Sequence, residues 1–322
     1  MKAIRIHSFG GPEVLKIEDL AAPDPPPGHV RIRVAAAGLN FLEVYHRTGL
    51  YPNALPMTLG GEGAGEVVAV GPEVKALRIG DRVASIALLG SYAEEALVHE
   101  DKAVRIPEGM ELQQAAAALL QGMTAHYLVY TTFPLKPGQS CLIHAAAGGV
   151  GLLLIQLAKR CGAHVFGTVS TEEKAALARE AGADQVILYT REDFEVEIKK
   201  ATDGKGVSVV YDSVGATTFD KSLNSLAPLG MMVLYGQSSG VVPPFSASVL
   251  AQKGSLFLTR PVLFHYVADR ARLAWRAGEI LGSIRDGDLK LRIGATFPLT
   301  AAGEAHRALE GRATTGKVLL LP

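Results

Sequence analysis

The chain has 322 residues, of which 48% are hydrophobic and 20% are charged, so it has room for two ordinary domains with sizeable cores. Its 32 basic residues balance its 32 acidic residues, which argues against nucleic acid or an anionic membrane surface as a partner. The N-terminus lacks the apolar stretch of a signal peptide and no apolar run is long enough to cross a membrane, so the cytoplasm is the expected location.

The two cysteines, Cys141 and Cys161, are not arranged for metal or redox chemistry. They form no Cys-x-x-Cys pair, and no group of His and Cys residues has the spacing of zinc ligands. We interpret both as small apolar residues of the interior. The sequence therefore predicts no metal site.

The first part of the chain has the texture of a β domain. Short β-like runs are broken by Gly and Pro at residues 2–7, 29–38, 65–71, 80–90 and 103–107. Turn signals at such short intervals are typical of all-β structure. A helical run over residues 111–130 follows, and we interpret it as the entry to a second domain.

Strand and helix patterns then alternate regularly. Six strand-like runs are separated by helical segments, at residues 140–144, 164–169, 185–189, 207–212, 231–236 and 255–261. This alternation predicts a doubly wound parallel sheet, a Rossmann domain over residues 113–260. An amphipathic helix at 269–287 comes next, and the strand-like runs at 291–299 and 317–322 are expected to return to the first domain. The fold class is therefore α/β, with the Rossmann domain inserted in a β domain formed by residues 1–112 and 261–322.

A glycine-rich turn joins the first strand of that alternation to its first helix. Ala146, Gly148 and Gly151 fill the three fixed positions of the G-x-G-x-x-G template, with Gly149 and Val150 between them. In this motif the middle glycine lets the backbone approach a diphosphate, and the helix N-terminus offers free N–H groups to it. The alternative is a tight turn without a ligand, but its place in the strand and helix alternation favours dinucleotide binding.

The end of the second strand indicates which dinucleotide is bound. NAD-preferring domains carry an acid there for the ribose 2′-hydroxyl, whereas residues 169–174 begin with Val-Ser-Thr. A 2′-phosphate is therefore tolerated and Lys174 could pair with it, which favours NADPH. The alternative is structural: Ser170 and Glu173 have capping-box spacing, and Lys174 could be a solvated helix residue.

Several segments resemble the zeta-crystallin-like NADPH:quinone oxidoreductases, the zinc-independent members of the medium-chain dehydrogenase/reductase superfamily. These segments are residues 38–52, 59–71, 119–128, 144–151, 211–215, 254–261 and 312–322. The resemblance implies a GroES-like β domain formed by both chain ends, a Rossmann domain between them, and quinone as the small-molecule substrate. It also implies a homodimer joined through the last Rossmann strand, within residues 254–260.

The resemblance further implies which residues bind the cofactor and the acceptor. The cofactor contacts are Ala146, Gly148, Gly149, Val150, Gly151, Ser170, Lys174, Tyr189 and Arg312. The quinone pocket involves Asn40, Tyr45, Tyr51 and Arg260, with Glu43 nearby, where relatives often have Asp. Each pocket residue has a structural alternative, since the tyrosines could be half-buried aromatics, Asn40 could hold a turn and Arg260 could pair with a carboxylate.

Two residues argue against zinc catalysis. Alcohol-dehydrogenase relatives place zinc ligands at the positions that match Asn40 and Gly61 here, and the structural lobe with four cysteines is also missing. Without a Lewis acid to polarise an oxygen, alcohol oxidation is disfavoured. Hydride donation to an acceptor that is already electron-poor remains, and a quinone suits it.

Three other functions are compatible with parts of the sequence. Reduction of an activated alkene, such as an enone or an enoyl thioester, would use the same cofactor and pocket. The Gly-x-Ser-x-Gly match at 236–240 suggests a hydrolase, but the prolines after it argue against the helix that a nucleophile elbow requires. A non-catalytic, crystallin-like or RNA-binding role is the third alternative, and the balanced charge weighs against RNA.

Overall fold

The computed structural model describes all of residues 1–322. The chain divides into two compact units, one formed by Met1–Gln121 with Asp269–Pro322 and the other by Gly122–Ala268. The limits predicted for the cofactor domain, residues 113–260, remain a prediction.

The chain contains sixteen strands and ten α-helices. The strands are β1 (Lys2–Ile6), β2 (Lys16–Asp19), β3 (His29–Leu39), β4 (Met57–Thr58), β5 (Glu62–Val70), β6 (Arg82–Ser85), β7 (Glu95–His99), β8 (Val104–Arg105), β9 (Ser140–Ile143), β10 (His164–Val169), β11 (Gln185–Leu188), β12 (Val207–Asp212), β13 (Leu226–Leu234), β14 (Phe257–Thr259), β15 (Ile293–Pro298) and β16 (Lys317–Leu321). The helices are α1 (Phe41–Thr48), α2 (Leu112–Tyr127), α3 (Gly149–Arg160), α4 (Glu172–Glu180), α5 (Phe194–Ala201), α6 (Phe219–Asn224), α7 (Ser248–Gln252), α8 (Leu263–Tyr266), α9 (Arg270–Arg285) and α10 (Ala302–Glu310).

The first unit is built on two sheets. A three-stranded sheet has the order β2-β1-β4, and a seven-stranded sheet has the order β15-β16-β3-β5-β6-β8 with β7 also paired to β3. The last strand of the chain, β16, is antiparallel to β3, with Val318 opposite Leu39. The predicted return of the two final strands to the β domain is therefore confirmed.

The second unit contains a six-stranded parallel sheet in the order β11-β10-β9-β12-β13-β14. All six predicted strands are present, and the order confirms the doubly wound fold. Because the winding direction reverses between β9 and β12, the chain segments that leave these two strands separate at the carboxyl edge and open a crevice there. Apolar side chains of the sheet and its helices, among them Leu142, Phe166 and Val210, form the core.

Two local predictions differ from the structure. The segment 41–48 forms helix α1 inside what the sequence presents as a β domain, because Asn40 and Glu43 form a helix start there. Strand β13 begins at Leu226, whereas the sequence predicts a start at residue 231. Leu226 pairs with Val207, and a register shift follows before the pairing continues at Val209 and Met231. The turn-like Pro and Gly of residues 226–230 hide this strand start in the sequence.

Candidate active site

The glycine turn leaves the start of helix α3 open. Gly148 is the N-cap residue, and no side chain caps the helix. Ala145 adopts a left-handed backbone conformation with φ of 51°, and the Gly148 N–H donates to the Ala145 carbonyl at 2.9 Å. A Cβ on Gly151 would lie 2.7 Å from the Ala146 carbonyl oxygen, so only glycine fits there. The open helix N-terminus fits the diphosphate of a dinucleotide.

The end of β10 brings Ser170 and Lys174 together. The Lys174 ammonium donates to the Ser170 hydroxyl at 3.3 Å. The N-cap of helix α4 is Thr171, whose hydroxyl accepts the Lys174 N–H at 3.3 Å, so the capping-box interpretation of Ser170 and Glu173 is wrong. Thr171 has the extended backbone of an N-cap residue, which leaves Ser170 one position too early.

The other two predicted cofactor residues are exposed at separate places. Tyr189 follows β11, and its N–H donates to the Val169 carbonyl at 3.1 Å, next to Ser170 in sequence. Arg312 belongs to the first unit, in a turn after α10, with a left-handed φ of 58°. A cationic and hydroxyl-bearing strand end beside an open helix start fits a dinucleotide that carries a 2′-phosphate. The individual contacts remain predictions.

A buried histidine network, which was not predicted from the sequence, lies directly before the glycine turn. His144 Nδ1 is 2.9 Å from the Thr168 hydroxyl, and Nε2 is 2.9 Å from the Ser222 hydroxyl. Ser222 donates to the Asp212 carboxylate at 3.0 Å, so it must accept from Nε2–H, and Nδ1 accepts from Thr168. Burial lowers the pKa of His144, although Asp212 opposes that shift, so the imidazole is neutral.

Asp212 extends this network into the next loop. Its carboxylate also accepts the Val214 and Gly215 N–H groups at 2.7 and 3.0 Å and the Thr218 hydroxyl at 2.6 Å. The network therefore ties the carboxyl ends of β9, β10 and β12 to helix α6. Its visible signals were the histidine that opens segment 144–151 and the aspartate of segment 211–215.

In the first unit, the structure brings Tyr45 and Tyr51 together. Their rings meet edge to face with centroids 5.3 Å apart, and the Tyr51 N–H donates to the Tyr45 carbonyl at 3.1 Å. Tyr51 is exposed and Tyr45 is half-buried, which matches the structural alternative and also leaves surface for a ligand. Their role as pocket residues remains a prediction.

Asn40, the N-cap residue of α1, is held by a buried ion pair. Lys317 on β16 donates to the Asn40 Oδ1 at 2.6 Å and to Glu62 Oε2 at 2.5 Å. The Asn40 Nδ2 also donates to Glu62 Oε2, at 3.0 Å, and the other Glu62 oxygen accepts the Leu120 N–H at 2.7 Å. The side chains of Lys317 and Glu62 are completely buried. Neither residue was among the predicted site residues, although the lysine that opens the apolar run 317–321 was a signal of a buried charge.

Glu43 completes this group of four buried polar residues. Its carboxyl accepts the Asn40 N–H at 2.9 Å and the Gly61 N–H at 3.3 Å. Burial raises the pKa of Glu43 to about 7, with Lys317 opposing the shift and Glu62 adding to it. We call Asn40, Glu43, Glu62 and Lys317 the Lys317 cluster. It holds a carboxyl that exchanges its proton near neutral pH.

Arg260 lies in the second unit, directly after β14, and is exposed. Its guanidinium donates to the Leu234 carbonyl at 3.1 Å, at the end of the neighbouring strand β13. The guanidinium also acts electrostatically on Tyr127, where it opposes the rise in the Tyr127 pKa that burial causes. Arg260 therefore marks the carboxyl edge of the sheet, and its contact with an acceptor remains a prediction.

The segment at 236–240 lacks the geometry of a nucleophile elbow. The strand before it ends at Leu234, and the next helix, α7, begins only at Ser248. The serine of the match is Ser238, whose N–H donates to the Ser213 carbonyl at 3.1 Å. An elbow needs a strand, a tight turn and an immediate helix, so the hydrolase alternative is rejected.

Three remaining sequence expectations concern cysteines, metals and membranes. Cys141 is buried as predicted, whereas Cys161 is only half-buried, and neither is in a disulfide. No group of three or more His, Cys, Asp or Glu side chains is placed to hold a metal ion. Among the helices, none combines the length and the apolar character that a membrane span requires.

Comparisons with known proteins cover the whole chain. Residues 26–108 match the family described as alcohol dehydrogenase GroES-like domain, and residues 149–261 match the family described as zinc-binding dehydrogenase. The chain is 46% identical to a quinone oxidoreductase of Pseudomonas aeruginosa, over 100% of this chain and 99% of the relative. It is 42% identical to a 2-haloacrylate reductase of a Burkholderia species, over 98% of each. The crystal structure of Escherichia coli quinone oxidoreductase complexed with NADPH has a TM-score of 0.98 and 43% identity, covering 100% of both chains.

The buried carboxyl of Glu43 predicts a pH-dependent stability difference between the wild type and Glu43→Gln. Because the pKa of Glu43 rises from 4.5 to about 7 on folding, its stabilising effect is complete below 4.5 and is lost as the pH rises through 7. Between pH 4.5 and about 7, the free energy of unfolding of the wild type should therefore fall by about 3 kcal/mol relative to that of Glu43→Gln. Urea unfolding of both proteins at several pH values measures the difference, and a constant difference would contradict the prediction.

Proposed function

Because the chain belongs to the quinone oxidoreductase family of the medium-chain dehydrogenase/reductase superfamily, we propose that it reduces quinones with NADPH. The observation that carries this proposal is the uncapped start of α3 at the glycine turn, next to a strand end that presents Lys174 rather than a carboxylate. That arrangement accepts a diphosphate and a 2′-phosphate in one unit.

Most of the proposed cofactor contacts lie in the second unit, and Arg312 lies in the first. NADPH supplies a hydride when it is bound. The N–H groups at the start of α3 receive the diphosphate, and Lys174 and Ser170 receive the 2′-phosphate, with Tyr189 and Arg312 as further contacts. The His144 network keeps the glycine turn and the loop after β12 in place, because it ties the ends of three strands together.

Asn40, Tyr45 and Tyr51 of the first unit orient the acceptor. A quinone is electron-poor, and its reduced oxygens delocalise charge, so positioned hydrogen bonds suffice. Asn40 already has an amide fixed by Lys317 and Glu62. Fixed dipoles lose little free energy on reorganisation when the acceptor changes charge.

A second candidate substrate class is an activated alkene. The observation in its favour is the 42% identity to a 2-haloacrylate reductase over nearly the full chain. This reaction uses the same hydride but requires a proton at carbon rather than at oxygen. The two candidates therefore differ in the acceptor and share the cofactor site.

Steady-state rates with a panel of acceptors test the proposed function. We expect 1,4-benzoquinone to be reduced with a higher kcat/KM than an enone or 2-chloroacrylate, with NADPH as donor and with no added metal. Treatment with a chelator should leave the rate unchanged, because Asn40 and Gly61 replace two zinc ligands of the alcohol dehydrogenases. A higher kcat/KM for the alkene would favour the second candidate, and loss of activity on chelation would contradict the metal-free reading.

The choice between cofactors is tested with Lys174→Ala. A hydrogen bond between charged groups contributes about 1.5–3 kcal/mol, so the affinity for NADPH should fall roughly 10–150-fold. The affinity for NADH should stay nearly constant, because NADH has no 2′-phosphate. Lys200→Ala, on the exposed side of α5, is the control. Equal losses for both cofactors would show that Lys174 supports the fold rather than the 2′-phosphate.

We also propose that the protein is a homodimer joined at the edge strand β14. This strand pairs only with β13, so its other edge is open. Exposed apolar side chains accompany it, namely Phe257, Val262 and Phe264. A second copy of the same strand would satisfy the open backbone groups and cover these side chains.

Phe257→Lys tests this interface, because a charge on an open edge disfavours strand pairing. We expect the wild type to sediment as a dimer and Phe257→Lys as a monomer at the same concentration. Val196→Lys, which also replaces an exposed apolar residue, should remain dimeric. A dimeric Phe257→Lys protein would place the interface elsewhere.

A further inference from the structure

We propose that Lys317 is a positioning residue for the acceptor reaction: it fixes the amide of Asn40, and the Lys317 cluster carries one exchangeable proton that controls acceptor turnover. This inference rests on the proposed acceptor site at Asn40 and adds to it a residue from the last strand of the chain. It concerns how the protein sets charge beside the acceptor.

Lys317 and Glu62 fix the orientation of the Asn40 amide. An ammonium can only donate and a carboxylate can only accept, so Lys317 must face Oδ1 and Glu62 must face Nδ2. A flipped amide would put its NH₂ group against the ammonium and its oxygen against the carboxylate. Lys317 and Glu62 together therefore permit one orientation of this side chain.

The side chains of Lys317 and Glu62 have no room to move. A Cβ on Gly38 would lie 2.8 Å from the Lys317 Nζ, so the ion pair packs directly against the backbone of β3. Lys317 and Glu62 have no solvent-exposed side-chain surface. Neither group can turn away to water, and the geometry of the amide is fixed as long as both remain.

The net charge of the Lys317 cluster depends on one proton. The cluster contains one ammonium and two carboxyl groups, so it is neutral only when one carboxyl holds a proton. Glu43 holds it, because its carboxyl has no cation in hydrogen-bond contact, whereas Glu62 contacts Lys317 directly. Tyr92 and Arg47 are also electrostatically coupled to Glu43. Burial and the charge of Glu43 raise the pKa of Tyr92, and the charge of Arg47 opposes that rise.

The other charged groups near Glu43 are paired with each other, so they add no net charge there. Arg47, one helical turn further along α1, is paired with the Glu310 carboxylate at 2.8 Å. Its guanidinium also donates to His306 at 3.1 Å, and burial lowers the pKa of His306 to about 3, so this imidazole is neutral. Loss of the Glu43 proton therefore leaves the Lys317 cluster with one uncompensated negative charge.

The consequence for the reaction follows from the sign of that charge. Hydride transfer places negative charge on the acceptor, and a neutral cluster beside Asn40 does not oppose it. An anionic cluster does, so kcat/KM for the acceptor should fall as the pH rises through about 7. Binding of NADPH should follow no such profile, because its proposed phosphate contacts lie in the other unit, apart from Arg312.

The test is the pH profile of kcat/KM for 1,4-benzoquinone at saturating NADPH in three proteins. The wild type should lose activity as the pH rises through about 7. Glu43→Gln should lose this dependence and exceed the wild type about threefold at high pH, because it cannot become anionic. Lys317→Met should lower kcat/KM about tenfold and move the decline upward by about one pH unit, because the ammonium that favours the Glu43 carboxylate is gone.

Matched controls separate these effects from misfolding. Lys221→Met removes an exposed ion pair with Asp193 and should keep the wild-type profile. All variants should bind NADPH within about twofold of the wild type. If Lys317→Met does not fold, Glu43→Gln decides alone: an unchanged pH dependence in that variant overturns the proposal.

The outcome also distinguishes this inference from the acceptor site on which it rests. Tyr45→Phe removes a proposed acceptor contact outside the cluster, so it should lower kcat/KM at every pH without moving the decline. If Tyr45→Phe and Asn40→Ala both reduce quinone at the wild-type rate, the acceptor site is wrong. If they are impaired but Lys317→Met and Glu43→Gln keep the wild-type profile, the site stands and the role of Lys317 is wrong.

Discussion

The ammonium group of Lys317 lies wholly inside the first unit, and this buried cation constrains everything around it. Removing an ammonium and a carboxylate from water costs several kcal/mol for each ion, which only close pairing and further hydrogen bonds offset. Lys317 meets Glu62 at 2.5 Å and Asn40 at 2.6 Å, and Glu62 takes one more hydrogen bond from Leu120. The last strand is thereby bound to β5 and to the start of helix α1. The ion pair thus adds a buried polar contact to the backbone pairing of β16 with β3 and β15.

The second unit also buries a charged group, but it does so without pairing it with a cation. Its carboxylate, Asp212, is compensated by two backbone N–H groups and two hydroxyl groups, and a neutral imidazole continues the chain of hydrogen bonds. Four donors to one buried carboxylate hold its charge without any ion pair. The strands that it connects end at the place where the winding of the sheet reverses, where the cofactor domain of a doubly wound fold binds its ligand. Both units therefore place a buried, fully hydrogen-bonded polar group behind their proposed binding surfaces.

The parts of this arrangement that the sequence predicted are those with a local or periodic signal. Alternating strands and helices predicted the six-stranded sheet, and the glycine turn was visible as a motif. The cluster was not visible, because Lys317 and Glu62 are 255 residues apart and only the closure of the sheet brings them together. Finer local choices were also missed: Thr171 rather than Ser170 caps α4, since neighbouring hydroxyl residues compete and the backbone angle decides. For Asn40, the sequence left a structural and a functional role open, and its contacts with Glu62 and Lys317 show that a structural role exists without removing the other.

The charge of the Lys317 cluster also bears on which acceptors the proposed site can take. Asn40 and Gly61, which the resemblance aligns with two zinc ligands of the alcohol dehydrogenases, contact Lys317, Glu62 and Glu43 here. A zinc ion would bring two positive charges to an oxygen of the substrate, whereas the ammonium is already matched by Glu62. The cluster can therefore be neutral or anionic, but it has no positive charge left to polarise an alcohol or an isolated carbonyl. At the proposed acceptor site, an acceptor must then carry its own electron deficiency, as a quinone does, while the protein contributes orientation and the avoidance of negative charge.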